Sequence, residues 1–150
     1  MLKFSFYNLL VISLLCYSCA GQPQKVSVLK SAANDSLYTL VVAQHDSVMP
    51  KTNLMESQQR QLQKMLETAP ATQKDSILST LAALKKGQDE MMRWMNEFKN
   101  TEIDQEHFAP LDEAQIKAYL KSEQTKILNV ADLMLSSIAQ AEKILNQQPK

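Results

Sequence analysis

At 150 residues the chain has room for one domain, and its 16 basic and 16 acidic side chains cancel, leaving no charge excess to draw it onto nucleic acid or an anionic membrane. Only two glycines occur, Gly21 and Gly87, so the glycine-rich turns that bring backbone amides to a phosphate are missing, and a nucleotide-binding loop is excluded. Both cysteines, Cys16 and Cys19, fall at the end of the N-terminal apolar run, so the rest of the chain should hold neither a free thiol nor a disulfide.

Lys3 gives a basic start, and Phe4 to Leu15 form an apolar run of secretory length, too short to cross a bilayer as an ordinary helix. Cys16-Tyr17-Ser18-Cys19 then resembles a lipobox, with small Ser18 before the cut and Cys19 as the lipidated residue. Cutting at Cys16 would place bulky Leu15 at the cleavage site, which favours Cys19. The alternatives are an ordinary secreted protein or an uncleaved anchor. Residues 1–18 are therefore expected to be a lipoprotein signal peptide, and 19–33 (CAGQPQKVSVLKSAA) the lipidated cysteine with a flexible tether. Acyl chains on Cys19 would hold the protein at the membrane, each buried CH₂ contributing roughly 0.8 kcal/mol.

Three long segments with helical spacing follow, separated by breaks near Pro70 and Pro110. The first, about Asp35 to Glu67, carries Leu37, Val41, Val48, Met55, Leu62 and Leu66 near one stripe, with His45 on the same face. Pro50 has no N–H for the carbonyl of Asp46, which predicts a kink between Val48 and Lys51. The second, about Gln73 to Lys99, places Ile77, Leu81, Leu84, Gln88, Met91, Met95 and Phe98 at alternating steps of four and three, a heptad seam with one polar member. Thr72 with Asp75 is the expected capping box, and Gly87 weakens the middle by roughly 1 kcal/mol relative to alanine. The third, about Glu113 to Asn146, turns Ile116, Leu120, Ile127, Val130, Met134, Ile138, Ala141 and Leu145 inward, with Asp112 and Gln115 as a capping box and Leu111 packing on Ile116. Strand-like alternation is absent from the sequence. The expectation is an all-α, up-down-up three-helix antiparallel bundle with long, coiled-coil-like helices over residues 34–146 and a tail at 147–150. A helical hairpin completed by oligomerisation is the rival, and the oligomeric state stays open.

Two stretches stand out: His45-Asp46-Ser47-Val48-Met49-Pro50-Lys51 and Met91-Met92-Arg93-Trp94-Met95-Asn96-Glu97-Phe98. Together with Leu135 to Glu142 (LSSIAQAE), they resemble a family of small envelope lipoproteins often named viral A-type inclusion protein, marked by HD-x-VMPK and MM-x-WM-x-x-F segments. Ser47 and Thr52 depart from the acidic and Met residues of that pattern. The resemblance implies an envelope location, a lipid on Cys19 and a helical fold, and says nothing of activity.

Physically, His45, Met49, Pro50, Met91, Trp94, Met95 and Phe98 form a candidate interaction or packing motif. The methionines with His45 would suit Cu(I), and a copper-binding lipoprotein is the alternative function, but a Met and aromatic stripe at core spacing is first of all core. His45, Met49, Met91 and Met95 are therefore expected in the core, with no metal ligand and no cofactor. His45 and Asp46 should not face each other, as helix neighbours point about 100° apart, and His107 with Glu102, Asp104 and Glu106 reads as a solvated linker. Catalysis needs nucleophile, base and oxyanion donors together, and the pattern supplies no such set, so no enzyme is expected. Trp94, one step off the seam, either flanks the core or anchors a partner. The expected function is a non-enzymatic interaction or structural module, lipid-anchored and facing the periplasm at the outer membrane, whose partners are the membrane and another envelope protein.

Overall fold

The computed structural model describes residues 27–147. The expected leader and Cys19 lie outside the described residues. Within them the chain is all-helical: α1 (Ala32–Val48), a 3₁₀ turn (Met49–Lys51), α2 (Thr52–Thr68), α3 (Ala71–Glu97), the single-turn α4 (Gln105–Phe108) and α5 (Glu113–Leu145). The long helices pack as a bundle in which α3 and α1 both lie against α5, and α2 bridges α3 and α5. Among the described residues no helix is long and apolar enough to cross a membrane.

Helix boundaries follow local chemistry. Ser31 caps α1 by accepting from the Asn34 amide. Pro50 breaks the α-helical ladder where expected, and the 3₁₀ turn closes as Thr52 donates both its amide and its hydroxyl to the Met49 carbonyl. The first long segment is thus two helices. Ala69, forced away from helical backbone by the proline that follows, ends α2, and α3 starts at Ala71 on an extended Pro70. This overturns the Thr72–Asp75 capping box, because the helix already includes both residues. At α5 the box forms as expected: Asp112 Oδ1 accepts from the Gln115 amide at 2.8 Å, and Gln115 Oε1 from the Asp112 amide at 2.9 Å.

The main core is a set of heptads. Val41, Val48, Met55 and Leu62 step by seven straight through the Pro50 break, and none is more than 3% exposed. Ile77, Leu84 and Met91 do the same on α3, and α5 alternates by four and three through Ile127, Val130, Met134, Ser137 and Ala141. Each large apolar side chain so enclosed contributes roughly 1.5–3 kcal/mol. The seam on α3 is rotated from the expected one: Thr80, Gly87 and Trp94 are buried between the large residues, whereas Leu81 and Gln88 are half-buried and Met95 is 39% exposed. Close approach explains the rotation. A Cβ on Gly87 would stand 3.4 Å from the Met134 Cα, 3.3 Å from its Cγ and 2.9 Å from the Met55 Cε, so α3 meets its neighbours on its small residues. Gln88 faces α2 instead, where Gln59 donates to its Oε1 at 2.8 Å.

A second cluster closes one end of the bundle, with Leu29, Phe108, Ile116 and Leu120 enclosed and Leu37, Tyr38, Leu111 and Tyr119 packed around them. Leu29 belongs to the stretch expected as tether, and it is only 2% exposed. Lys30 adopts a left-handed φ of 64° in the turn before α1, and its ammonium bonds the carbonyls of Ala109 and Leu111. Asn34 ties the same corner by donating to the carbonyls of Leu29 and Glu113. Of the expected solvated linker, Glu102 and Glu106 are exposed while Asp104 and His107 are half-buried, and the segment contains α4, whose Phe108 is fully enclosed because it plugs the end of the core.

Candidate functional site

The two singled-out stretches meet on one surface cleft of about 530 Å³ beside the C-terminal end of α3. His45 and Asp46 reach it from α1, Trp94 and Met95 from α3, and Phe98, Lys99, Asn100, Ile103 and Asp104 from the connection to α4. The remaining candidates lie elsewhere. Met91 is fully buried, Met49 is half-buried against the main core, and Pro50 is exposed on the 3₁₀ turn. Met95 was expected in the core. The rotation of the α3 seam puts it at the cleft rim.

Four rings line up through this region. Tyr38 stacks on Phe98 with centroids 5.6 Å apart, Phe98 on Trp94 at 4.6 Å, and Trp94 on His45 at 5.5 Å, with interplanar angles of 20–27°. Trp94 is thus both buried, at 6% exposure, and a wall of the cleft. The indole Nε1 is enclosed without a hydrogen-bond partner, and so is Nε2 of His45. His45 Nδ1 lies 2.9 Å from Asp46 Oδ1. That contact corrects the expectation that the two neighbours would not meet. The near edge of the imidazole and a short carboxylate span the angular offset between adjacent helix positions. Because a carboxylate only accepts, Nδ1 is the donor.

The far wall is a loop held by tyrosine hydroxyls. Tyr119 Oη accepts from the Lys99 amide at 2.7 Å, and Tyr38 Oη from the Thr101 amide at 3.3 Å. Within the loop, Asp104 Oδ2 accepts from the Asn100 amide and Asn100 Oδ1 from the Glu102 amide. Burial pushes the Tyr119 phenol up from 10.0 to about 12, with Glu123 and Asp104 adding to the shift and the Lys99 amide opposing it. So fixed, the loop presents Ile103 at 83% exposure, the most exposed of the large apolar residues described.

Sequence reasoning missed Ile103, Tyr38 and Tyr119. The available signal for Ile103 was a single large apolar residue inside the acidic run Glu102 to Glu106. The tyrosines gave none, since their part is a long-range bond to a backbone amide. Trp94 also borders a second cleft of about 420 Å³ on the α5 side, where Arg93 pairs with Glu90. Lys126 lines that cleft too and pairs with buried Glu123, whose hydrogen bond raises the lysine pKa.

The chain matches no family model, no curated protein and no solved structure.

Proposed function

We propose that this chain is a lipid-anchored helical protein of the bacterial cell envelope, facing the periplasm at the outer membrane, that works without catalysis by contacting another envelope protein. Support for the anchor comes from the sequence: Ser18-Cys19 directly follows an apolar run of secretory length. The likeness of His45 to Lys51 and Met91 to Phe98 to small envelope lipoproteins points the same way. Helix pairing supports an up-down-up reading of three rods, with α1, the 3₁₀ turn and α2 as one. Asn34 bonds Glu113 and Gln58 bonds Ile138, so the first rod keeps step with α5 along its length, while the Gln59–Gln88 bond sets α3 against it.

The observation that carries the contact reading is Ile103, an apolar side chain held out in solvent by two buried-side tyrosine bonds, next to a cleft walled by Trp94 and Met95. An ordered, exposed apolar group beside an aromatic wall is the arrangement of an interface anchor. The cleft pairs its imidazole with Asp46 and, among the described residues, is lined by no hydroxyl or thiol side chain, which supports binding over group transfer.

Photo-cross-linking in intact cells tests this. A photoreactive residue at position 103 should give one discrete protein adduct, and the same residue at Leu128, 48% exposed on α5, should give none. Equal labelling from both positions, or none from 103, contradicts the assignment.

A further inference from the structure

We infer that His45 and Met95 form a binding site for a soft monovalent metal ion, Cu(I) or Ag(I), with the Trp94 indole face as its wall. Of the four residues that could supply soft donors on sequence grounds, the fold separates two. Met91 is sealed in the main core and Met49 packs against it, so packing accounts for both. Met95 is 39% exposed, and His45, although its ring stacks on Trp94, has its Nε2 enclosed without a partner. Both side chains line the same cleft.

The donor chemistry fits. Nδ1 of His45 donates to Asp46, so the neutral ring carries its lone pair on Nε2, the atom left without a partner. A carboxylate holding one ring nitrogen while the other ligates is the usual outer-shell arrangement at a metal-bound histidine. A thioether and an imidazole are donors that Cu(I) and Ag(I) accept and that Mg²⁺ or Ca²⁺ does not. The Trp94 ring, stacked 5.5 Å from the imidazole, offers its negative face to a cation there. The neighbouring rings Phe98 and Tyr38 hold that indole in place.

The chain has a single tryptophan, so its fluorescence reads the site directly. The full chain is used with Cys16 and Cys19 replaced by serine, which removes the competing thiols. Titration with Ag(I) should quench Trp94 with a stoichiometry of one. Anaerobic competition should show Cu(I) binding tighter than about micromolar. His45→Gln and Met95→Leu should each weaken binding by about tenfold or more. Asp46→Asn, at an exposed position outside the core, should weaken it by about 10–100-fold through loss of the outer-shell bond. Met92→Leu, on an exposed methionine away from the cleft, should change nothing. Absence of quenching, or quenching and affinity kept in either His45→Gln or Met95→Leu, overturns the site.

Discussion

The bundle has two kinds of interior. Along most of its length Val41, Val48, Met55, Ile77, Leu84, Met91 and Met134 repeat at heptad spacing, and every one comes from a long helix. At the end near Phe108 the enclosed residues come from a turn, a single-turn helix and the first turns of α5, joined by Lys30, Asn34 and the two tyrosine hydroxyls. The first interior rests on periodicity, the second on a few long-range polar bonds around one aromatic plug. An end built this way should open as its own unit, with amides of residues 98–112 exchanging at lower opening free energy than those of α3.

Four substitutions break or sharpen that contrast. Phe108→Ala should cost about 3–5 kcal/mol in urea unfolding, and should abolish amide protection at 98–112 while leaving residues 77–91 protected. Uniform loss across both regions would show a single cooperative interior. Met91→Ala, in the periodic core, should cost about 2–5 kcal/mol and lower protection everywhere, whereas Met91→Leu, nearly equal in volume, should cost under about 1.5 kcal/mol. Tyr119→Phe removes one loop bond and should cost about 0.5–1.5 kcal/mol, felt only at the Phe108 end.

The same tyrosine gives a pH test. Its folded-state pKa is raised, so the stabilisation it adds is complete below pH 10, where the unfolded phenol is also neutral, and is lost as pH rises through about 12. Ultraviolet titration should therefore show one late phenol that disappears in Tyr119→Phe. Smallest of all is Gly87→Ala. The helix gains roughly 1 kcal/mol, but the new methyl must push aside the end of Met55 and crowd Met134, so thermal unfolding should move little in either direction. Clear stabilisation would mean that α3 and α5 have room to part.

The periodic interior was legible in the sequence because helical spacing is a local property. The break at Pro50, the box at Asp112 and Gln115, and the inward stripe of α5 all follow from residues within a turn of one another. The phase of α3 was not. Leu81 and Met95 are more hydrophobic than Thr80 and Gly87, and only the approach of Met134 makes the small residues the better interior. That same error placed Met95 in the core and not at the cleft rim, although His45, Trp94, Met95 and Phe98 were already legible as one candidate motif. The Phe108 end was misread for a different reason. A buried aromatic in the polar stretch Asp104 to Ala109 has no periodic neighbours, and its partners Leu29 and Ile116 are remote in sequence.

Anchorage through Cys19 of a helical domain displaying the His45–Trp94–Ile103 surface is tested most directly by mass spectrometry of the N-terminal peptide from protein extracted from the envelope. The expected peptide begins at Cys19 and carries a diacylglyceryl thioether, and Cys19→Ala should leave the leader uncut. A chain with unmodified Cys19, cut elsewhere or retaining its leader, would contradict the lipid-anchored reading.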